Sequence, residues 1–430
     1  MVVRQGRGVP PASATFPPPG FRRFWAGEAV TGFGSAITGL ALQTLVVLDL
    51  DGGATETGLL SSARWLPYLV FGLLVGALVD RVRRRPVMIV TDLIRLLLLL
   101  VIPAAWAAGA LSLPLVLGVV ACYGLASLAN DAASQSFVTR LVPRQHLQPA
   151  HARLDGAAAV AETGGPALGG VLIRLLGAPL TFLVSAFGHA ASVLAVATLT
   201  TDEPPRPPRR EKALRSLGRD IAVGVQWVYR ESGLRVLALA THVWFAANAV
   251  LGVVLAPLAL RELGLSTVAF GLAAAAAGVG ALIGATTSGR IGNRLGTGGA
   301  IIASHSVSVV GVLVVASALL AANPLAAAVA LGAGQALHGF AMGLSNSHEM
   351  SYRQSLTPDA LQARTNTTMR SFNRAVVVLV SPLAGVLADR LGLGVMLLVS
   401  AVLFVVTVVV LLAARFHRAR LAEDPPSHPS

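Results

Sequence analysis

Twelve runs of apolar residues, each long enough to cross a lipid bilayer, follow one another along the chain. They lie at roughly 22–48, 58–79, 87–108, 112–137, 153–175, 179–199, 234–259, 266–288, 299–321, 325–348, 366–388 and 393–414. A bilayer core about 30 Å thick demands about 20 such residues per helix, and no backbone polar group inside it can be left to water. Turn signals such as Asp51-Gly52-Gly53 and Asn323-Pro324 separate the runs. The pattern predicts an all-α polytopic membrane protein. Charged residues make up 12% of the chain and hydrophobic ones 54%, too few charges to cover a soluble domain. The single Cys122 excludes an internal disulfide.

The net charge of +13 is carried almost wholly by arginine, Lys212 being the one lysine. The arginines form short clusters between apolar runs instead of one basic face, so nucleic acid is not an expected partner. Of the 33 Lys and Arg, Arg64, Arg174, Arg261 and Arg390 fall at one face and Arg95 inside the third run. The rest gather at the face that holds both termini. By the positive-inside rule that face is cytoplasmic, and the expected location is the cell (plasma) membrane. Residues 1–20 lack the apolar stretch of a signal peptide and are expected to be a disordered tail; 416–430 form a C-terminal tail.

The longest polar stretch, 201–219, contains Pro204, Pro205, Pro207, Pro208, Arg209 and Arg210. It predicts an extended cytoplasmic linker between six-helix bundles at 21–200 and 220–415. The halves resemble each other. Gly76-Ala-Leu-Val-Asp80-Arg81 recurs as Gly289-Arg-Ile-Gly-Asn293-Arg294, Leu141-Val-Pro143 as Leu356-Thr-Pro358, and Pro166-Ala-Leu-Gly169 as Pro382-Leu-Ala-Gly385. The offsets are 213, 215 and 216 residues. Three matches in near-constant register argue for duplication.

Two six-span halves joined by a linker resemble the major facilitator superfamily, and two motifs sharpen the likeness. Gly76-x-x-x-Asp80-Arg81-x-Arg83-Arg84-Arg85 is similar to the superfamily's loop signature, with Arg83 in place of a glycine. The resemblance implies a gating latch made by Gly76, Asp80, Arg81, Arg84 and Arg85, repeated in part at Asn293 and Arg294. Gly76 permits close helix approach. Asp80 can accept hydrogen bonds from a neighbouring helix N-terminus, and Arg81 can pair across the loop. Arg83, Arg84 and Arg85 equally serve as topological anchors.

The second motif, Ala161-Glu162-Thr163-Gly164-Gly165-Pro166-Ala167-Leu168-Gly169-Gly170, is similar to the antiporter motif of the superfamily's drug exporters. Pro166 removes a backbone donor, and Gly165, Gly169 and Gly170 leave a close-packing, bendable surface. Gly72-x-x-x-Gly76 and Gly280-x-x-x-Gly284 read as generic helix packing. The opening Phe21-Arg-Arg-Phe-Trp25-Ala-Gly-Glu28 and the 150–170 stretch look most like the branch that exports macrolides, siderophores and other metabolites. One departure is that no arginine lies between Leu111 and Val138, where proton-coupled drug exporters usually carry one.

In this superfamily spans one, four, seven and ten line the central cavity. On them lie Glu28; Asn130 and Asp131; His242 and Asn248; and Gln335, His338, Asn346 and Glu349. Span eleven adds Asn373 and Arg374. Inserting a charge mid-bilayer costs about 2.5–3.5 kcal/mol, so each needs a reason. Glu28, Asp131 and Glu349 fall near helix ends by these boundaries, where water or an arginine can serve them. Asp92 and Arg95, at i and i+3, read as a structural pair. The histidines His242, His305 and His338 read equally as packing residues. Glu162, deepest and beside Pro166, is expected to be desolvated and able to hold a proton. The proton-coupling candidates are therefore Glu162, Asp131 and Glu28.

Enzyme chemistry finds no footing. His348-Glu349-Met-Ser-Tyr352 misses metalloprotease spacing at its fifth position, and no phosphate-binding loop is present. No metal or cofactor is expected, and nothing indicates an oligomer. The expected function is export of a small amphipathic compound by proton antiport through alternating access. A solute importer or symporter of the same fold is one alternative, and a non-transporting scaffold or receptor is another.

Overall fold

Every apolar run becomes helix, and several helices outlast the run that predicts them. The structure, a computed structural model, describes residues 17–79, 82–199 and 212–419. The helices are α1 (Pro19–Thr44), α2 (Ala54–Val79), α3 (Arg84–Ala107), α4 (Leu113–Leu141), α5 (Leu147–Leu176), α6 (Ala178–Ala197), α7 (Lys212–Gln226), α8 (Arg235–Pro257), α9 (Thr267–Ser317), α10 (Pro324–Leu356), α11 (Asp359–Leu391) and α12 (Leu393–Ala413). No strand occurs among the described residues. The 51-residue α9 breaks at Gly296, whose φ of 72° suits glycine, and so supplies two crossings. The spans are thus α1–α6, α8, both limbs of α9, and α10–α12.

Among the described residues ten helices, α9 counted once, are long and apolar enough to span a bilayer. In α2 the only charges among its 26 residues are Glu56 and Arg64. Polar turns prolong α4, α5, α10 and α11 at the end nearest the termini, beyond the apolar boundary. There hydropathy reports lipid exposure while Ala, Gln, Arg and Leu keep the backbone helical. The extended linker expected over 201–219 is helical from Lys212 onward, since α7 begins there. It seats on α11, where Gly224 meets Arg364 and Thr368. Residues 200–211, like 1–16 and 420–430, lie outside the described residues. Helix α1 already starts at Pro19, inside the expected tail, and Phe416 packs edge-on against Tyr352 at 5.1 Å.

The internal repeat is visible in the backbone. Helices α1 and α8 both run into a π turn, Leu45–Asp49 and Leu258–Glu262. The loops closing α5 and α11 each turn on one glycine of positive φ, Gly177 at 83° and Gly392 at 93°. In the first half α1 packs on α5 and α6, and α4 on α2 and α3; in the second α8 packs on α11 and α12, and α9 on α10. The α9–α10 crossing is the closest. A Cβ on Gly280 or Gly284 would overlap the carbonyl oxygens of Ala336 and Phe340, and one on Gly339 or Gly343 those of Ala277 and Ala281. Reciprocal small-x-x-x-small pairs let two backbones touch. Gly339→Val must push the helices apart, costing upwards of the ~1–3 kcal/mol of ordinary overpacking. The expected result is loss of the monodisperse peak in fluorescence-detected size exclusion; a wild-type profile would refute the tight crossing.

The apolar core differs between the two faces. Away from the termini one cluster runs through both halves, including Leu45, Val46, Leu60 and Phe182 with Val254, Ala384 and Phe404. At the terminus-bearing face each half keeps its own: Phe21, Phe24, Phe137 and Val196 in the first, Leu234, Ile301, Tyr352 and Phe416 in the second. The halves are fused on one side and parted on the other.

Candidate functional site

The fused side is sealed by backbone meeting backbone. A Cβ on Gly58 would strike the Ser381 carbonyl, one on Gly385 the Ala54 carbonyl, and one on Gly170 the Thr267 carbonyl. Hydrogen bonds stitch the same seams. The Asp389 carboxylate accepts from Ala54 N at 3.0 Å and Thr55 N at 2.9 Å, capping the positive end of α2. Ser62 Oγ donates to Val378 O at 2.7 Å and Thr267 Oγ1 to Gly170 O at 3.1 Å. Arg261 pairs with Asp51 and donates to Val47 O. The antiporter-like motif lies on this seam. Gly165 and Gly169 face α1 at Ala36 and Ile37, while Pro166 O and Gly170 face Gly271 and Thr267 of α9. Helix α5 remains continuous through Pro166.

Toward the termini the seam opens. Among the described residues no neighbouring heavy atom lies within 4 Å of where a Cβ on Gly72 or Gly76 would sit, and Phe71, Leu74 and Leu78 are exposed. The latch expected here is not closed among the described residues; Asp80 and Arg81 lie outside them. Arg85 donates to Val196 O at 3.2 Å and Ala197 O at 2.5 Å, at the end of α6 in its own half. Asn293 and Arg294 line a hollow with Gly296 and His417, also within their own half.

On the parted side a cleft runs along the first half, and Arg374 of the second half reaches its inner part. Its outer part, about 320 Å³, is lined by Glu28, Thr31, Arg95, Asp131, Gln135, His151 and Asp155 among others, a volume at the low end of small-molecule sites. Its inner part adds Arg64, Trp65, Tyr68, Leu99 and Tyr123, and shares Ser35, Arg95 and Asp131. Glu28, Arg95 and Asp131 stand about ten residues, ~15 Å, inside their helices. This corrects the helix-end positions expected for Glu28 and Asp131, because α1 starts earlier and α4 ends later than their apolar runs. Arg64, expected at the membrane face, also lines the cleft.

Asp131 is exposed to this space and accepts from the Tyr68 hydroxyl at 2.8 Å. The Arg374 guanidinium crosses from the other half to stack 4.7 Å over Tyr68 and 5.9 Å from Trp65, a cation–π geometry. Asn130 also lines the outer part, and its amide donates to Thr91 Oγ1 at 2.8 Å. Glu162 departs from expectation: it is exposed and not buried, because it continues the stripe of α5 formed by Asp155 and Ala158.

The second-half candidates divide. His242 Nδ1 donates to Asn373 Oδ1 at 2.7 Å, leaving Nε2 to accept from Tyr229 at 2.5 Å. Tyr229 lies in the π turn before α8, and burial pushes its phenol up to about 12, so it stays a donor. His338, 5% exposed, is held at 2.9 Å by Asn248 Oδ1; that pair is internal packing. Glu349 lies 3.4 Å from His305 Nε2 and from Thr241 Oγ1, inside its own half. Gln335 Oε1 is buried without a partner among the described residues, and Asn346 is exposed on the same face of α10.

Sequence reading missed Arg64, Trp65, Tyr68, Tyr123 and His189. Their available signal was a polar or aromatic group in mid-span. Asp92 and Arg95 do pair, as expected, but His189 and Ser192 of α6 complete the cluster.

Known proteins share this plan. The family profile described as Major Facilitator Superfamily matches residues 24–379. Multidrug efflux pump Tap of Mycolicibacterium fortuitum is 28% identical over 409 residues, 92% of this chain and 95% of its own length. Macrolide efflux protein A of Streptococcus pyogenes is 42% identical over 77 residues, 17% of this chain and 18% of its own. A bacterial homologue of the iron transporter ferroportin, solved in an inward-facing state, superposes with a TM-score of 0.71 at 16% identity, over 93% of this chain and 99% of that one. The nucleoside transporter NupG gives 0.70 at 12% identity, over 94% and 100%. At such identities the likeness is one of fold.

Proposed function

Since the chain belongs to the Major Facilitator Superfamily, and is accordingly a multi-pass membrane transporter and not an enzyme, we propose that it exports a small amphipathic organic compound by proton antiport. Both termini are cytoplasmic in this reading, as the arginine distribution supports, and the membrane is the plasma membrane. The carrying observation is the one-sided join: backbone seams close the face opposite the termini while a charged, aromatic cleft opens toward the termini. Such a cleft is half of an alternating-access cycle, and rocking the halves about it completes the other half.

The efflux pumps among the relatives favour export over import. Within the cleft, Trp65, Tyr68 and Tyr123 offer apolar and π surface, and Asp131 with Glu28 offers negative charge. That combination suits a lipophilic cation. Substrate and proton compete for this charge, with Glu162 at the rim. Gln335 and Asn346 serve as polar contacts on the opposing wall, with His242 held ready by Asn373. Gly76, Asp80, Arg81, Arg84 and Arg85 form the cytoplasmic latch once the cleft closes, with Asn293 and Arg294 as their counterpart.

The test is ethidium flux in proteoliposomes under an imposed pH gradient. Ethidium should accumulate on the acidic side, and Glu162→Gln should slow this at least several-fold if the rim carboxylate passes protons. Flux indifferent to the gradient would end the antiport reading; no flux of ethidium or of a macrolide would end the export reading. Accumulation on the basic side would favour a symporter.

A further inference from the structure

Behind the cleft wall lies a hydrogen-bonded chain from Asp92 to Tyr123. Asp92, 1% exposed, accepts at once from Arg95, from His189 Nδ1 at 3.1 Å and from Ser192 Oγ at 2.8 Å. With Nδ1–H given to the carboxylate, Nε2 of His189 is left as an acceptor, and the Tyr123 hydroxyl donates to it at 3.0 Å. Tyr123 lines the inner cleft, and its hydroxyl is 3.5 Å from Ser35 Oγ, which lines both parts. His189 itself is fully buried. The chain therefore leads from cleft water, through one hydroxyl, to an imidazole lone pair beside a buried carboxylate.

The other arm of the cluster returns to the cleft. Arg95 lines both its parts together with Asp131. Its guanidinium reaches Asp92 through one terminal nitrogen, while its buried Nε has no partner among the described residues. The charged groups facing His189 are Asp92 and Arg95 of α3. Those facing Arg95 in turn are Asp92, Asp131 and Tyr123 of α4, and Glu28 of α1. One cation, Arg95, is thus placed between a buried carboxylate and two carboxylates of the cleft.

We propose that the proton competes with the substrate from His189, behind the cleft wall: protonating His189 releases Arg95 from Asp92 toward Asp131 and Glu28. An imidazolium beside Asp92 supplies the positive charge that Arg95 otherwise provides. Two cations on one carboxylate repel, and the one with a second set of acceptors leaves. Arg95 then occupies the negative charge a cationic substrate would need, and the substrate is displaced. Loss of the proton reverses the exchange. The proposal rests on the proton-antiport reading and says where the proton sits; titrating the protein alone decides it even if export fails.

Nitrogen-15 histidine spectra of the purified chain, with the His189 signals assigned by their loss in H189Q, should show the ring passing from one protonated nitrogen to two between about pH 8 and pH 5. D92N removes the anion that favours the charged ring, and Y123F removes the acceptor for its Nε2–H. Each should lower the midpoint by at least half a pH unit, and Y123F retains the packing if D92N does not fold. Ethidium added to wild-type protein near the midpoint should release protons, and H189Q should cut that release at least five-fold. A ring that stays neutral down to pH 5, or H189Q releasing as many protons as wild type, overturns the proposal. If wild type neither binds nor moves ethidium, the export reading fails and the spectra still decide His189.

Discussion

Gly170→Val is expected to hold open the face opposite the termini and stop transport. The new side chain would meet Thr267 O and Val268 Cα, both backbone, so no rotamer change relieves it. Parting α5 from α9 also breaks the Thr267–Gly170 hydrogen bond. Overpacking of about 1–3 kcal/mol plus a lost bond of about 1 kcal/mol sums to roughly 2–4 kcal/mol against the sealed state. That is a roughly 30- to 1000-fold shift toward the state open at the face opposite the termini. It can be read with a thiol reagent on Ser61→Cys in a Cys122→Ser background, because Ser61 sits on the other seam, 3.3 Å from Ser381. Labelling from the face opposite the termini should rise at least ten-fold. Gly72→Ala, where nothing lies within 4 Å, is the control. Unchanged labelling with normal flux would mean that the glycine seam does not open during turnover.

Asp131→Asn should weaken binding of a lipophilic cation and spare a neutral one. The amide oxygen can still accept from Tyr68, so the fold loses little, but the charge that faces the cleft is gone. A hydrogen bond to a charged group is worth about 1.5–3 kcal/mol, or roughly 10- to 150-fold in Kd. Fluorescence titration with ethidium should show that loss, while an uncharged dye such as Nile red should change less than about two-fold. Equal losses for both dyes would make Asp131 a structural residue.

The fold was legible because lipid imposes a length on every crossing, and length is what a sequence displays most openly. Boundaries were less so. Polar turns at the ends of α4, α5, α10 and α11 face the cleft or the surface, and hydropathy takes them for loop. That error displaced Asp131 toward a helix end, and the unread first turn of α1 did the same for Glu28. Azimuth was harder still. Glu162 looked buried because Pro166 and glycines surround it in sequence, yet it occupies the stripe between the α1-facing and α9-facing sides of α5. His189 and Tyr123 went unread for the opposite reason. A lone histidine in an apolar span resembles packing until Asp92 of another helix is set against it, and no spacing rule links residues 97 apart.

The single-residue joint at Gly296 has a mechanical consequence. With one residue between them, the eighth and ninth crossings cannot slide far apart, and a shift of one reaches the other. A push delivered by α5 at Thr267 is therefore transmitted as a lever stroke to the far flank, where α12 rests. Drive applied at one seam moves an entire six-helix body, which lets a fraction of an ångström at a glycine contact become a whole-molecule tilt.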